Sequence, residues 1–165
     1  MNQPLVIILM GSSADAPHSQ KIAEAAENLG LTVIQRIGSA HKTPAHVLNI
    51  LEIYEADPRP KVYITVAGRS NALSGFVDGS VNAPVIACPP PSESFGGADI
   101  YSSLRMPSGI APALVLEPAN AALLAAKILA PHDSSVRTRL IEFRARQTAK
   151  IITDDATQQD RSYGS

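Results

Sequence analysis

His41 and Lys42 are adjacent in a short polar stretch, Ser39-Ala40-His41-Lys42-Thr43-Pro44. Imidazole is the side chain that most readily carries a proton near neutral pH. An ammonium group beside it can hold a carboxylate or a phosphate. Two other stretches are built from equally small polar residues, Gly11-Ser12-Ser13-Ala14-Asp15 and Gly68-Arg69-Ser70-Asn71. Glycine and serine at a strand-to-helix turn offer backbone N–H groups and hydroxyls to an anion. Asp15 can accept from sugar hydroxyls, and Arg69 adds a second cation. The chemistry within reach is proton transfer on a phosphorylated small molecule. Each stretch alone also has a plainer reading. Ser12 and Asp15 serve equally well as helix caps, and His41 and Lys42 as solvated loop residues. Three such loops in succession favour a shared site.

The elements that would carry these loops alternate strand and helix. Leu5 to Met10 is a continuous apolar run, expected of a strand buried on both faces of a parallel sheet. Asp15 and Pro17 open a helix carrying Ile22, Ala26 and Leu29, and Gly30 ends it. Leu31 to Ile37 is the second strand, and Thr43-Pro44 starts the helix with Val47, Leu48, Leu51 and Tyr54. Further strands are read at Val62 to Ala67, Pro84 to Cys88 and Ala113 to Leu116, with short helices near 73–77 and 100–104. An Ala/Leu-rich helix covers 120–129. A last helix runs from about Ser135 to Ile152, ahead of a polar, frayed tail at 153–165. The pattern predicts one domain over 1–152, a three-layer α/β/α sandwich with a parallel, flavodoxin-like sheet and an additional C-terminal helix. In such sheets ligands bind beyond the carboxyl ends of the strands, where all three polar loops fall.

Composition narrows the function. A net charge of −1 and 4% aromatic residues without tryptophan argue against a nucleic-acid surface. The longest apolar run is too short to span a membrane, and no signal peptide is read, so a cytoplasmic location is expected. Cys88 is the only cysteine and reads as a buried small hydrophobe. Gly11-Ser12-Ser13 is neither a Walker loop nor a Gly-x-Gly-x-x-Gly turn. The histidines lack metal-ligand spacing, so neither metal nor cofactor is expected. His18, His46 and His132 read as surface residues. Arg137, Arg139, Arg144, Arg146 and Lys150 read as a solvated helix face. A phosphoacceptor signalling domain would need an acidic cluster after the first strand and an aspartate after the third, and neither is present.

Taken together, the three loops resemble the aminoimidazole ribonucleotide carboxylase family of purine biosynthesis, over roughly Leu5 to Pro131. The resemblance implies a three-layer α/β/α fold and an obligate homo-oligomer, here a tetramer or octamer. Many bacterial members are mutases of N-carboxyaminoimidazole ribonucleotide, with a third loop reading Ala-Gly-x-Ala-Ala-His-Leu-Pro-Gly. Here Ala72 stands in place of that histidine and Ser74 in place of the proline. Ala67-Gly68-Arg69-Ser70-Asn71, Cys88-Pro89-Pro90 and Ser102 to Gly109 instead resemble the branch that uses carbon dioxide directly, without ATP, biotin or metal. That branch implies reversible carboxylation of 5-aminoimidazole ribonucleotide, with His41 moving the proton. Lys42, Ser70 and the N–H groups from Arg69 to Asn71 would stabilise the new carboxylate. Gly11, Ser12, Ser13 and Ser39 would hold the phosphate and Asp15 the ribose, Arg69 would serve either anion, and Ala40, Gly68 and Asn71 complete the substrate-binding set. The alternatives are the mutase and a non-catalytic phosphoribosyl-binding module.

Overall fold

In the computed structural model, which describes residues 3–163, five parallel strands form one sheet. They are β1 (Leu5–Met10), β2 (Thr32–Ile37), β3 (Lys61–Val66), β4 (Val85–Ala87) and β5 (Ala113–Leu114), in the order β2-β1-β3-β4-β5. This is the flavodoxin-like arrangement. The helices are α1 (Ala16–Asn28), α2 (Pro44–Glu55), α3 (Ala72–Asp78), α4 (Tyr101–Leu104), α5 (Pro118–Leu129) and α6 (Ser134–Tyr163).

The apolar run of β1 lies inside the sheet between β2 and β3, and its alternate residues feed two cores. Val6, Ile8 and Met10 pack with Ile22, Ala26, Leu29 and the alanines of α5. Leu5, Ile7 and Leu9 pack with Val47, Ile50, Leu51 and Tyr54 of α2 and with Leu73 and Val77 of α3. That division makes the three layers. Each fully buried aliphatic side chain contributes about 1.5–3 kcal/mol, so both faces of β1 are major sources of stability. Ala121, Ala122, Ala125 and Ala126 are completely buried, and α5 packs against α1. The small side chains of α5 thus serve close packing within the chain. Gly38 ends β2 where a Cβ would come within 2.8 Å of Val47 Cγ2, which only glycine avoids. Gly30 leaves α1 at φ 83°, the left-handed position that favours glycine.

The last helix departs from the sequence expectation. It begins on Asp133, whose Oδ1 accepts from the backbone N–H groups of Ser135 and Val136 at 2.8 and 3.1 Å. It then continues to Tyr163 instead of fraying at Ile152. No glycine or proline interrupts 153–163, and Gln159 Nε2 donates to Asp155 Oδ2 one turn back at 3.0 Å. Only the start of α6 meets the core. Val136 is fully buried, whereas Ile141, Ile151 and Ile152 are 64–67% exposed.

Candidate active site

The sheet order reverses between β1 and β3, and the crevice lies where loops leave their carboxyl ends. A cavity of about 830 Å³ occupies this place, a size suited to a nucleotide-like ligand. The first loop contributes Gly11, Ser12 and Asp15, the second Ser39, Ala40, His41 and Lys42, and the third Gly68, Arg69 and Ser70. Ser13 and Asn71 are not part of the lining. Two cations and an imidazole therefore share one cavity with the carboxylates of Asp15 and Glu93.

Each loop is shaped before any ligand arrives. Asp15 Oδ2 accepts from Ser12 N at 2.9 Å and from Ser12 Oγ at 3.2 Å, a capping box at the entrance to α1. The capping and site-lining readings of Ser12 and Asp15 thus hold together, because a carboxylate keeps acceptor capacity beyond two bonds. Gly11 N donates to Val66 O at 2.9 Å and ties the first loop to β3. In the second loop Ser39 N donates to Thr43 Oγ1 at 3.0 Å, and Lys42 N to Ser39 Oγ at 3.2 Å. Ser39 and Thr43 close this turn. The exposed side chains of His41 and Lys42 are left at the cavity wall.

The third loop uses two of its backbone N–H groups internally. Arg69 N donates to Asp99 Oδ2 at 3.0 Å and Asn71 N to Ser102 Oγ at 2.9 Å. These two N–H groups are engaged within the protein, which leaves the Ser70 N–H and the side chains of the loop as its donors toward the cavity. Asn71 is 4% exposed. Its Oδ1 accepts from Ser74 N and Oγ, and its Nδ2 donates to Ser103 Oγ at 2.8 Å, so it supports the loop from below. Arg69 has φ 61°, a left-handed conformation that costs a non-glycine residue roughly 1–2 kcal/mol.

A fourth loop, not assigned to the site from sequence, adds Pro90, Pro91, Ser92, Glu93 and Ser94. Its signal was available, since this proline- and serine-rich segment follows β4 at the same sheet edge. His18 also differs from its expected surface placement. It lies half-buried on α1 with Nε2 3.5 Å from Cys88 Sγ, because the first turn of α1 passes over the end of β4. Burial, with help from Lys21, lowers its pKa and favours the neutral ring. Burial pushes the Cys88 thiol up to about 12, so it stays protonated, as expected of a packing residue. Among the described residues no group of three His, Cys, Asp or Glu side chains is placed to hold a metal ion. No helix among them is long and apolar enough to cross a membrane.

Similarity to known proteins agrees with this geometry. The AIR carboxylase family model matches residues 5–150. A phosphoribosylaminoimidazole carboxylase of Treponema denticola is 61% identical over 154 residues, covering 93% of this chain and 97% of that protein. One from Archaeoglobus fulgidus is 52% identical, covering 90% of this chain and 82% of that protein. The bifunctional phosphoribosylaminoimidazole carboxylase/phosphoribosylaminoimidazole succinocarboxamide synthetase of Drosophila melanogaster is 47% identical over 82% of this chain, which spans 32% of that longer protein. A crystal structure of Treponema denticola PurE superposes with a TM-score of 0.92, covering 94% of this chain and 98% of that one. With sheet order, loop motifs and family match in agreement, the chain belongs to the AIR carboxylase family.

Proposed function

We propose that this chain is a phosphoribosylaminoimidazole carboxylase, joining carbon dioxide reversibly to 5-aminoimidazole ribonucleotide without ATP, biotin or metal. The product is 4-carboxy-5-aminoimidazole ribonucleotide, an intermediate of purine synthesis. One observation carries the reading: His41, Lys42, Arg69 and Ser70 share a cavity with the glycine–serine loop of Gly11 and Ser12. The aminoimidazole is an electron-rich enamine. Its ring carbon attacks carbon dioxide, forming a carbon–carbon bond while one C=O electron pair moves onto oxygen. His41 then takes the proton from that ring carbon, and the ring regains aromaticity. In the reverse direction His41 returns the proton. The protein has to bring the partners together and hold the new charge. Lys42, Arg69 and Ser70 do the latter. Gly11, Ser12 and Ser39 receive the phosphate and Asp15 the ribose.

Ala72, standing where mutases of the family have histidine, favours the carboxylase over the mutase. The test is incubation with 5-aminoimidazole ribonucleotide and bicarbonate, without ATP, followed by ultraviolet absorbance. Carboxylated product is expected, and unchanged substrate contradicts the reading.

The carboxylase domain covers residues 1–152, works in the cytoplasm, and has its small-molecule substrates and copies of itself as partners. Ile141, Ile151 and Ile152 on α6, with Ile53 on α2, are more than half exposed. Closed symmetric assembly would cover them. Light scattering should report the mass of four or eight chains, and the mass of one chain at micromolar concentration overturns this.

A further inference from the structure

The third site loop takes its shape from a segment about thirty residues further along the chain. Asp99 Oδ2 accepts from Arg69 N at 3.0 Å. Ser102 Oγ accepts from Asn71 N at 2.9 Å, and its single proton lies within reach of Asp99 O at 2.7 Å and Arg69 O at 3.1 Å. The two side chains thus bracket Arg69 and Ser70, holding the peptide groups on both sides. Between these anchors Arg69 sits at φ 61°, a conformation that persists only where surrounding contacts enforce it. The Asp99 carboxylate reaches the Arg69 backbone, not its guanidinium. Among the described residues no carboxylate lies within 4.0 Å of the guanidinium, and Arg69 lines the cavity together with Ser70.

We propose that Asp99, with Ser102, is a positioning residue for the carboxylase reaction: it locks the left-handed turn at Arg69 that presents the Arg69 and Ser70 side chains to the substrate. The inference rests on the carboxylase reading and adds a residue to it that does not line the main cavity. Its physical content is a hydrogen bond to a backbone N–H, which a neutral amide oxygen can also accept, though less strongly than a carboxylate. Asp99→Asn keeps that oxygen and the side-chain volume, whereas Asp99→Ala removes the acceptor and releases the turn. A reacting group displaced by an ångström can cost about 10²-fold in rate.

Steady-state kcat and KM, with the melting temperature, are to be measured for wild type, Asp99→Asn, Asp99→Ala and Ser102→Ala. Asp99→Ala is expected to lose about 10²-fold in kcat with a melting temperature within about 4 °C of wild type. Asp99→Asn is expected to stay within about threefold of wild type, because the bond is retained. Undiminished kcat in Asp99→Ala overturns the proposal. So does an Asp99→Asn variant as slow as the alanine variant, since the charge and not the bond would then matter. Should Asp99→Ala be too unstable to purify, Ser102→Ala decides: a loss of kcat at native melting temperature supports the proposal, and unchanged kcat overturns it. Wild type that leaves aminoimidazole ribonucleotide unreacted refutes the carboxylase reading and takes this inference with it, whereas active wild type with an equally active Asp99→Ala refutes only the role of Asp99.

Discussion

Replacing His41 with asparagine is expected to lower turnover by about 10²–10⁴-fold, the usual loss when a general acid–base group is removed. The expected direction follows from the chemistry. Carboxylation leaves one proton to be taken from the ring carbon, and decarboxylation needs it returned to that carbon. His41 is the imidazole in the cavity lining. Asparagine keeps a polar side chain of similar reach but cannot exchange a proton near neutral pH. The fold should be unaffected, because Ser39 and Thr43, not the His41 side chain, close the turn that carries it. Substrate affinity should change little, giving an effect on kcat with a nearly constant KM. Steady-state kinetics and circular dichroism on the purified variant check this. Near-normal turnover would remove His41 from the mechanism.

Lys42→Met is expected to lower turnover by roughly 10²–10³-fold, comparable to losing one donor aimed at developing negative charge. The carboxylate exists only after carbon dioxide has bonded to the ring, so its partners act on the transition state and product more than on the neutral gas. With the Arg69 and Asn71 N–H groups engaged by Asp99 and Ser102, side chains such as Lys42 take a larger share of this duty. Methionine keeps an unbranched apolar stem close to that of lysine and lacks the ammonium group with its charge and N–H donors. The backbone bond from residue 42 to Ser39 Oγ, 3.2 Å long, does not depend on the side chain, so the turn should persist. The check is kcat for both directions of the reaction in one preparation. Turnover within threefold of wild type would show that Lys42 does not hold the carboxylate.

Much of the site was legible because its local physics is local in sequence. A strand buried on both faces must be apolar at every position, and Leu5 to Met10 is. The loops that follow such strands in a parallel sheet must converge at one edge, so Gly11, His41 and Gly68 could be grouped before any coordinates. Long-range partners were not legible in this way. That Asn71 lies buried and bonded to Ser103, or that Asp99 takes the Arg69 N–H, depends on how the 94–104 segment folds back over the third loop. Nothing within either segment announces the other. The same holds for His18, which reads as a helix-surface residue until α1 is laid across Cys88. The extension of α6 was missed for a different reason. Its polar composition carries no apolar stripe, yet a polar helix without glycine or proline can continue once nucleated on a packed one.

Turnover of 5-aminoimidazole ribonucleotide and of its N-carboxy derivative should be measured with one preparation, without ATP, while dissolved carbon dioxide is added and then removed. Direct carboxylation requires that 5-aminoimidazole ribonucleotide be converted at a rate that rises with dissolved carbon dioxide and vanishes when it is stripped. Efficient conversion of the N-carboxy derivative, indifferent to carbon dioxide, would contradict it and identify a mutase that works without the histidine that Ala72 replaces.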